Sequence, residues 1–296
     1  MTIHRGRFAP SPSGRLHFGS LVAALGSWLS ARAAGGEWLI RIDDFDRERI
    51  VQGASEDILA TLDAFGFRPD RPVIRQSERD AIYRAALERL QRQDLVYPCW
   101  CSRSDLAAAG GIHPPQCVAD PDAARPPAWR LRVPDETIQF VDAVQGPQRQ
   151  DLRREVGDFV VWRVEGTTAY QLAVVVDDAA QDVTAVVRGA DLLDSTPRQI
   201  LLQRLLGLPL PEYAHLPLAL GADGRKLSKH ESALPVDASD PLPSLRAALQ
   251  FLGQPAPHAR NVQGLLSAAL ADFDPGRIPR TTAAPAPFAA LRKDVC

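Results

Sequence analysis

Two rhythms of apolar and polar residues alternate along the first hundred positions. Short segments at residues 5–8, 37–42, 73–75 and 95–97, of which 37–42 is an apolar run, have the length of strands. Between them lie stretches with apolar residues three and four apart. Residues 18–34 form one such stretch. Residues 52–65 form another, with Ile58, Leu59, Leu62 and Phe65 on one face and a stop at Gly66. Residues 79–93 form a third, with Ile82, Ala86, Leu87 and Leu90 on one side of an amphipathic helix. Strand–helix alternation of this kind predicts an α/β fold, a parallel sheet covered by helices on both faces.

The alternation breaks at Cys99. Residues 99–134 are rich in Pro, Ala and Gly, show little periodicity, and read as an insertion between two halves of the sheet. Strands are expected again at 140–144, 159–164 and 183–188. Residues 170–177 hold a long apolar run that ends at Asp177 and Asp178. Residues 196–206 are helical, with Pro197 in the first turn. A last parallel strand is expected at 216–220 and helices at 242–252 and 262–271. The Ala/Pro-rich residues 281–296 read as a loosely tied tail. The expected organisation is a catalytic domain in two halves, 1–98 and 135–230. Residues 99–134 are its insertion, and residues 231–296 are a short helical subdomain with a tail.

Composition narrows the class. The 296 residues are 45% hydrophobic and 24% charged, ordinary values for a soluble globular protein. A net charge of −2 excludes a uniformly basic surface. Any nucleic-acid contact must then come from a local cluster such as Arg149, Arg153 and Arg154, which fits a solvated helix face equally well. No run reaches the length of about 18 apolar residues that a membrane span needs. Residues 1–6 lack the apolar stretch of a signal peptide. The expectation is a cytoplasmic protein with no membrane partner.

Candidate chemistry begins after the first strand. A strand, a small-residue turn and a helix start make an anion site, because the first helical N–H groups lack partners. Pro10 and Pro12 stiffen this turn, Gly14 and Gly19 permit close backbone approach, and His17 stands where an imidazole can donate to a phosphate oxygen. A helix cap with an incidental histidine fits the same residues. Far downstream, Lys226, Ser228 and Lys229 lie in a loop beside Gly221 and Gly224. Cations and a hydroxyl there suit the charge that builds during nucleotidyl transfer, and a mobile loop suits closure over ATP. Taken alone, a solvated lysine loop explains them too. The order and pairing of the two strings point to one triphosphate held between distant segments.

These strings also carry a resemblance. His17, Phe18, Gly19 and Ser20, and then Lys226, Leu227, Ser228, Lys229 and His230, resemble the HIGH and KMSKS signatures of class I aminoacyl-tRNA synthetases. Residues 7–14, 41–44, 188–192 and 195–200 resemble the glutamyl subgroup, and the likeness spans about residues 5–235. The departures are Ser20 for the final histidine of the first signature and His230 at the end of the second. The resemblance implies a Rossmann-like parallel sheet and ATP binding by Pro10, Gly14, His17, Gly19, Ser20, Lys226, Ser228 and Lys229. It implies that His17 and Lys229 are catalytic, stabilising the transition state while Mg²⁺ shields the triphosphate. It also implies that Arg7, Ser11, Asp43, Tyr170 and Arg188 bind glutamate. Arginine suits a carboxylate through paired N–H donors, and an acid such as Asp43 suits an ammonium. As bare residues, Asp43 also fits a turn cap, Tyr170 ordinary core, and Arg188 a partner for Asp191. The subgroup usually has Glu where this chain has Asp43, and commonly Asn where it has Val174. The resemblance therefore implies an altered glutamate pocket.

Cys99, Cys101, His113 and Cys117 give the spacing C-x-C-x11-H-x3-C. Three thiolates and an imidazole complete a tetrahedral Zn²⁺ site with no open position, so the expected role is structural. The alternative is reduced thiols and an exposed His113. The resembling family has zinc-bearing versions of this insertion, with the place of His113 the least constant. Only 66 residues follow His230. A separate domain usually needs about 100 or more, so no anticodon-binding domain is expected. The chain thus resembles a truncated paralogue of the glutamyl enzymes. That resemblance implies a ligase that forms glutamyl-adenylate and passes glutamate to the cyclopentenediol of queuosine in the anticodon of tRNA(Asp), acting as a monomer. Two other readings stay open: a charging enzyme assisted by a separate RNA-binding partner, and a non-catalytic RNA-binding paralogue.

Overall fold

The structure is a computed structural model and describes residues 3–108, 110–114, 117, 119–122, 124–221 and 235–287. In chain order the first half holds β1 (Arg5–Phe8), α1 (Phe18–Ala33), β2 (Glu37–Ile42), α2 (Ala54–Ala64), β3 (Ile74–Arg75), α3 (Asp80–Arg92), β4 (Val96–Cys99) and α4 (Arg103–Ala108). The middle holds β5 (Ala128–Leu131), β6 (Thr137–Asp142), β7 (Gly146–Asp151), α5 (Leu152–Glu155), β8 (Phe159–Trp162), α6 (Tyr170–Ala180), β9 (Ala185–Gly189) and α7 (Thr196–Leu205). The rest holds β10 (Glu212–Leu216), β11 (Leu218–Leu220), α8 (Pro241–Phe251), α9 (Val262–Ala271) and β12 (Ala283–Pro285).

The central sheet has the order β10-β9-β1-β2-β3, and every pairing in it is parallel. Parallel strands are buried on both faces, and β1 and most of β2 are buried even though β1 carries Arg5 and Arg7 and β2 carries Arg41. Leu21, Leu25 and Leu29 of α1 cover one face, together with Ile58 and Leu62 of α2 and with Leu245 and Leu265 from α8 and α9. Leu87 and Leu90 of α3, Leu172 and Val175 of α6, and Leu201 of α7 cover the other. Full burial of each such leucine stabilises the fold by about 1.5–3 kcal/mol. The carboxyl ends of β1, β2 and β9 lead into the loops that carry Ser11, Asp43 and the segment after Arg188. Ligands bind at that end of an open α/β sheet.

The structure differs from the pattern in four places. First, β4 is not a strand of the central sheet. It pairs antiparallel with β5, and β5 pairs with β8, so this second sheet runs across the expected domain edges at residues 98 and 134. Second, the apolar run from Tyr170 is a helix, and Asp177 and Asp178 lie inside it rather than at its end. Third, residues 216–220 are two strands. Pro217 lies between them; β10 joins the central sheet, while β11 pairs with β12. Fourth, β12 ties part of the expected loose tail to the body, with Ala286 N–H donating to the Leu220 carbonyl at 2.8 Å. Residues 288–296 lie outside the described residues.

Candidate active site and metal centre

The loop after β1 is built to expose a helix start. Gly14 has φ +144°, a conformation that favours glycine, and its Cα faces open space. Val51 N–H donates to the Pro12 carbonyl and Asp43 N–H to the Pro10 carbonyl, which fastens the loop to the chain after β2. His17 is the N-cap of α1, and no acid occupies the first turn. Its Nδ1 accepts from Ser20 N–H at 3.3 Å, and Nε2 lies 3.1 Å from Ser20 Oγ. That pairing assigns the Nε2–H tautomer, with the hydroxyl as its present acceptor. Ser20, the departure from the signature, is thus in contact with the signature histidine. Lys226, Ser228 and Lys229 lie outside the described residues. The chain re-enters at Pro235, which bridges to His17, while Val236 N–H donates to the Leu16 carbonyl at 3.0 Å.

Ser11, Asp43 and Tyr170 line one cavity of about 340 Å³, open to solvent, together with Phe45, Asp46 and Arg49. Asp43 is 6% exposed. One of its oxygens accepts from Arg41 Nε at 2.7 Å. Burial pushes its carboxyl up to about 6, against the lowering effect of the Arg41 charge and hydrogen bond.

Arg7 and Arg188 are both buried, and both are held by protein groups. Arg7 makes a two-pronged bond to Asp178 through Nε at 3.1 Å and Nη2 at 3.2 Å. Arg41, fully buried, donates Nη1 to the same carboxylate at 2.6 Å. Burial would raise the Asp178 carboxyl, but the two guanidiniums prevail and hold it below the ordinary range. Arg188 donates Nε to His215 Nε2 at 3.0 Å and Nη2 to Thr196 Oγ1 at 2.9 Å, while its Nη1 is buried without a hydrogen-bond partner. A buried guanidinium N–H left unpaired suits an incoming carboxylate. Val174 is buried core on α6.

Behind Arg188 stands a relay that sequence reasoning missed. His215 Nδ1 lies 2.5 Å from Asp142 Oδ2, with both side chains wholly buried. Asp142 Oδ1 accepts three backbone N–H bonds, from Val144, Gln145 and His215. Burial holds the imidazole below its ordinary range, so it stays neutral, with Nδ1–H on Asp142 and the Nε2 lone pair on Arg188. The only sequence signal was a histidine inside an apolar strand, beside Tyr213 and Leu216.

The donor atoms of Cys99, Cys101, His113 and Cys117 all lie within 4.8 Å of one another. Cys101 and Cys117 sulfurs are 3.3 Å apart, Cys99 and Cys117 sulfurs 3.7 Å, and Cys99 Sγ is 3.2 Å from His113 Nε2. A tetrahedron with standard zinc bonds has S–S edges of about 3.8 Å and S–N edges of about 3.6 Å, so the cluster is close to a zinc-sized shell. His113 Nδ1 is 2.6 Å from the Pro114 carbonyl, which assigns the proton there and leaves Nε2 free as a ligand. Arg130 Nε donates to Cys99 Sγ at 3.2 Å. His113 is buried, not exposed. The residues fit a structural zinc ion. Magnesium is a different case. It arrives on the triphosphate, whose oxygens supply most of its ligands, and no described residue is assigned to it.

The basic cluster is divided. Arg153 pairs with Asp158 and Arg154 with Asp151, both on α5, whereas Arg149 stands on β7. They do not form one helix face.

The family described as tRNA synthetases class I (E and Q), catalytic domain, matches residues 4–250. A glutamyl-Q tRNA(Asp) synthetase from Xanthomonas campestris pv. campestris is 61% identical over 281 residues, 94% of each chain. The chain belongs to the glutamyl-Q tRNA(Asp) synthetase family. Another member, from Ectopseudomonas mendocina, is 53% identical over 95% of this chain and 96% of its own. The fold also matches a crystal structure of a glutamate tRNA ligase from Elizabethkingia meningosepticum in complex with its amino acid. That match has a TM-score of 0.80 and 25% identity, covering 97% of this chain and 67% of that one. Membership in this family makes the chain an adenylate-forming ligase that uses ATP with Mg²⁺. No helix among the described residues is long and apolar enough to cross a membrane.

Proposed function

We propose that the chain activates L-glutamate with ATP and transfers it to queuosine in the anticodon of tRNA(Asp). The observation that carries this reading is one cavity at the carboxyl end of the parallel sheet that gathers Ser11, Asp43 and Tyr170, in a member of this family. Asp43 and Ser11 take the glutamate ammonium. Tyr170 and the unpaired Nη1 of Arg188 take a carboxylate, with Arg7 holding the pocket's charge balance through Asp178. An α-carboxylate oxygen attacks the α-phosphorus and pyrophosphate leaves. A queuosine hydroxyl then attacks the carbonyl carbon of the adenylate, an ester forms and AMP leaves.

Pro10, Gly14, Gly19 and Ser20 present the helix start to the triphosphate. His17 and Lys229 stabilise the charge that builds in the first step, assisted by Lys226 and Ser228. Five residues of chain separate Lys229 from Pro235, the residue bridged to His17. That short tether supports assigning both signatures to one triphosphate. Zinc, when bound by the Cys99 cluster, stiffens the insertion and takes no part in the chemistry.

The two halves of the catalytic domain, the insertion and the C-terminal helices act as one monomer in the cytoplasm. Free thiols at Cys99, Cys101 and Cys117 suit a reducing compartment. Labelled glutamate transfer to tRNA(Asp) with and without queuosine, followed by mapping of the labelled nucleotide, tests the reading. Label confined to queuosine-bearing tRNA(Asp) is the expected result; acylation of unmodified tRNA(Glu) overturns it.

A further inference from the structure

A second, larger groove of about 1150 Å³ adjoins the glutamate cavity and shares Phe45 and Asp46 with it. Its charged lining is five acids against two arginines. Both arginines are already engaged. Arg84 pairs with Asp80 at 2.6 Å, and Arg163 lies between Asp46 and Glu165 at 3.5 and 3.2 Å. Asp44 bonds Ser77 through its N–H and hydroxyl, and Glu48 is exposed; neither has a cationic partner among the described residues. A groove with this surplus repels phosphodiester and attracts a cation.

An independent feature points the same way. Gln76, 1% exposed, lines the groove. Its Nε2 donates to Asp177 Oδ2 at 2.7 Å, which fixes the orientation of the amide because that carboxylate only accepts. Its Oε1 is then a buried acceptor with no hydrogen-bond partner. A buried acceptor in this position calls for a ligand N–H or O–H.

We infer that the groove is the acceptor subsite, and that it receives a cationic, hydroxyl-bearing side group carried on a nucleobase. This rests on the queuosine reading and names where that group docks. The queuosine side group is a cyclopentenediol attached through a secondary alkylamine, which is protonated at neutral pH. The ammonium lies among Asp44, Glu48 and Asp80, and the diol reaches the Phe45–Asp46 wall that the two cavities share. A hydroxyl held there stands beside the carbonyl carbon of an adenylate bound in the first cavity. Charge selects the modified base, because an unmodified guanine offers no cation to the acids.

The test uses Glu48→Gln and the charge reversal Glu48→Lys, both at an exposed position where folding is not at issue. Glutamate-dependent ATP–pyrophosphate exchange, which needs no acceptor, is the reference. Transfer to queuosine-bearing tRNA(Asp) is the readout, and free queuine base and 7-deazaguanine serve as competitors. For Glu48→Lys, kcat/KM for transfer should fall about tenfold or more at low salt, with exchange unchanged and a smaller fall for Glu48→Gln. Queuine should compete with tRNA in the native protein, and 7-deazaguanine, lacking the amine, should not. Equal transfer by native and Glu48→Lys protein, or equal competition by both bases, overturns the subsite while leaving the glutamylation reading intact. A native protein that exchanges pyrophosphate but transfers nothing to queuosine-bearing tRNA overturns both.

Discussion

Replacing Asp142 by Asn should weaken glutamate binding without touching any group that contacts substrate. The isosteric amide keeps Oδ1, which accepts from Val144, Gln145 and His215 N–H at 2.8–3.1 Å, so the turn after β6 stays closed. Where the carboxylate accepted a hydrogen bond from His215 Nδ1–H, the amide NH2 instead donates one to Nδ1. The imidazole must then carry its proton on Nε2, which faces the Arg188 Nε–H donor at 3.0 Å. Two donors in contact force the guanidinium away and turn Nη1 from the place assigned to a substrate carboxylate. Loss of a buried hydrogen bond of this type costs about 1–3 kcal/mol. That corresponds to a rise in KM for glutamate of roughly 5- to 150-fold, with a smaller change in kcat. Glutamate-dependent ATP–pyrophosphate exchange across a range of glutamate concentrations measures it. Nitrogen-15 shifts of the His215 ring report the tautomer. An unchanged KM in a variant whose ring has switched tautomer would refute the positioning argument. Asp142→Ala is the uninformative choice, because it strands three backbone donors in the interior.

Three further outcomes follow from the same geometry. Because burial lifts Asp43 to about 6, KM for glutamate should rise as pH falls through about 6, and Asp43→Asn should raise KM at neutral pH and abolish that limb. The linked stability has the opposite sign. Between the ordinary aspartate value and about 6 the native state binds more protons than the unfolded state, so the Asp43 contribution falls as pH rises through that window. A flat KM profile in the native protein removes Asp43 from the ammonium site. Cys117→Ser should lower zinc content measured by metal analysis and speed proteolysis within the insertion, while pyrophosphate exchange survives; exchange lost in step with zinc would argue against a structural ion. Gly157 has φ +69°, and a Cβ there would meet Ile112 Cγ2 at 2.6 Å and the His113 carbonyl at 2.7 Å. Gly157→Ala should therefore loosen the seat of the His113 loop and weaken zinc retention against a chelator, and unaltered retention would contradict this.

The residues differ in how far they announced their roles. β2 and α9 were legible to the residue, because Trp38, Leu39, Ile40 and Ile42 mark a doubly buried parallel strand and α9 has a clear capping residue in Asn261. The apolar run from Tyr170 was ambiguous, since eight such residues fit a buried strand or a buried helix equally. β7, with the sequence GPQRQD, was missed because a surface hairpin strand carries no apolar alternation. Pro217 divides β10 from β11, a break that composition alone did not reveal. Ser11, Asp43 and Tyr170, which line one cavity, were grouped in the sequence only by the family resemblance; nothing in their own neighbours along the chain marks them. Asp142 and His215 could not be paired from sequence, because the contact joins a hairpin to a sheet strand 73 residues away. Arg7 read as a glutamate ligand through the resemblance and Arg41 only as part of a motif, whereas their shared partner, Asp178, lay in what read as the end of an apolar run.

Asp177 and Asp178 are neighbours on α6 that serve two different rooms. Asp178 holds Arg7 and Arg41 on the amino-acid side. Asp177 takes Gln76, Arg79 and Tyr83 on the groove side, with Arg41 Nε only 3.6 Å away. Behind the Phe45–Asp46 wall, a buried run of alternating charges therefore ties the two sides together, and neither half can be rebuilt alone. A change that makes room for a different amino acid will also shift the tuning of the step that consumes it, so altered substrate choice in this scaffold should arise through paired replacements on both sides of that wall.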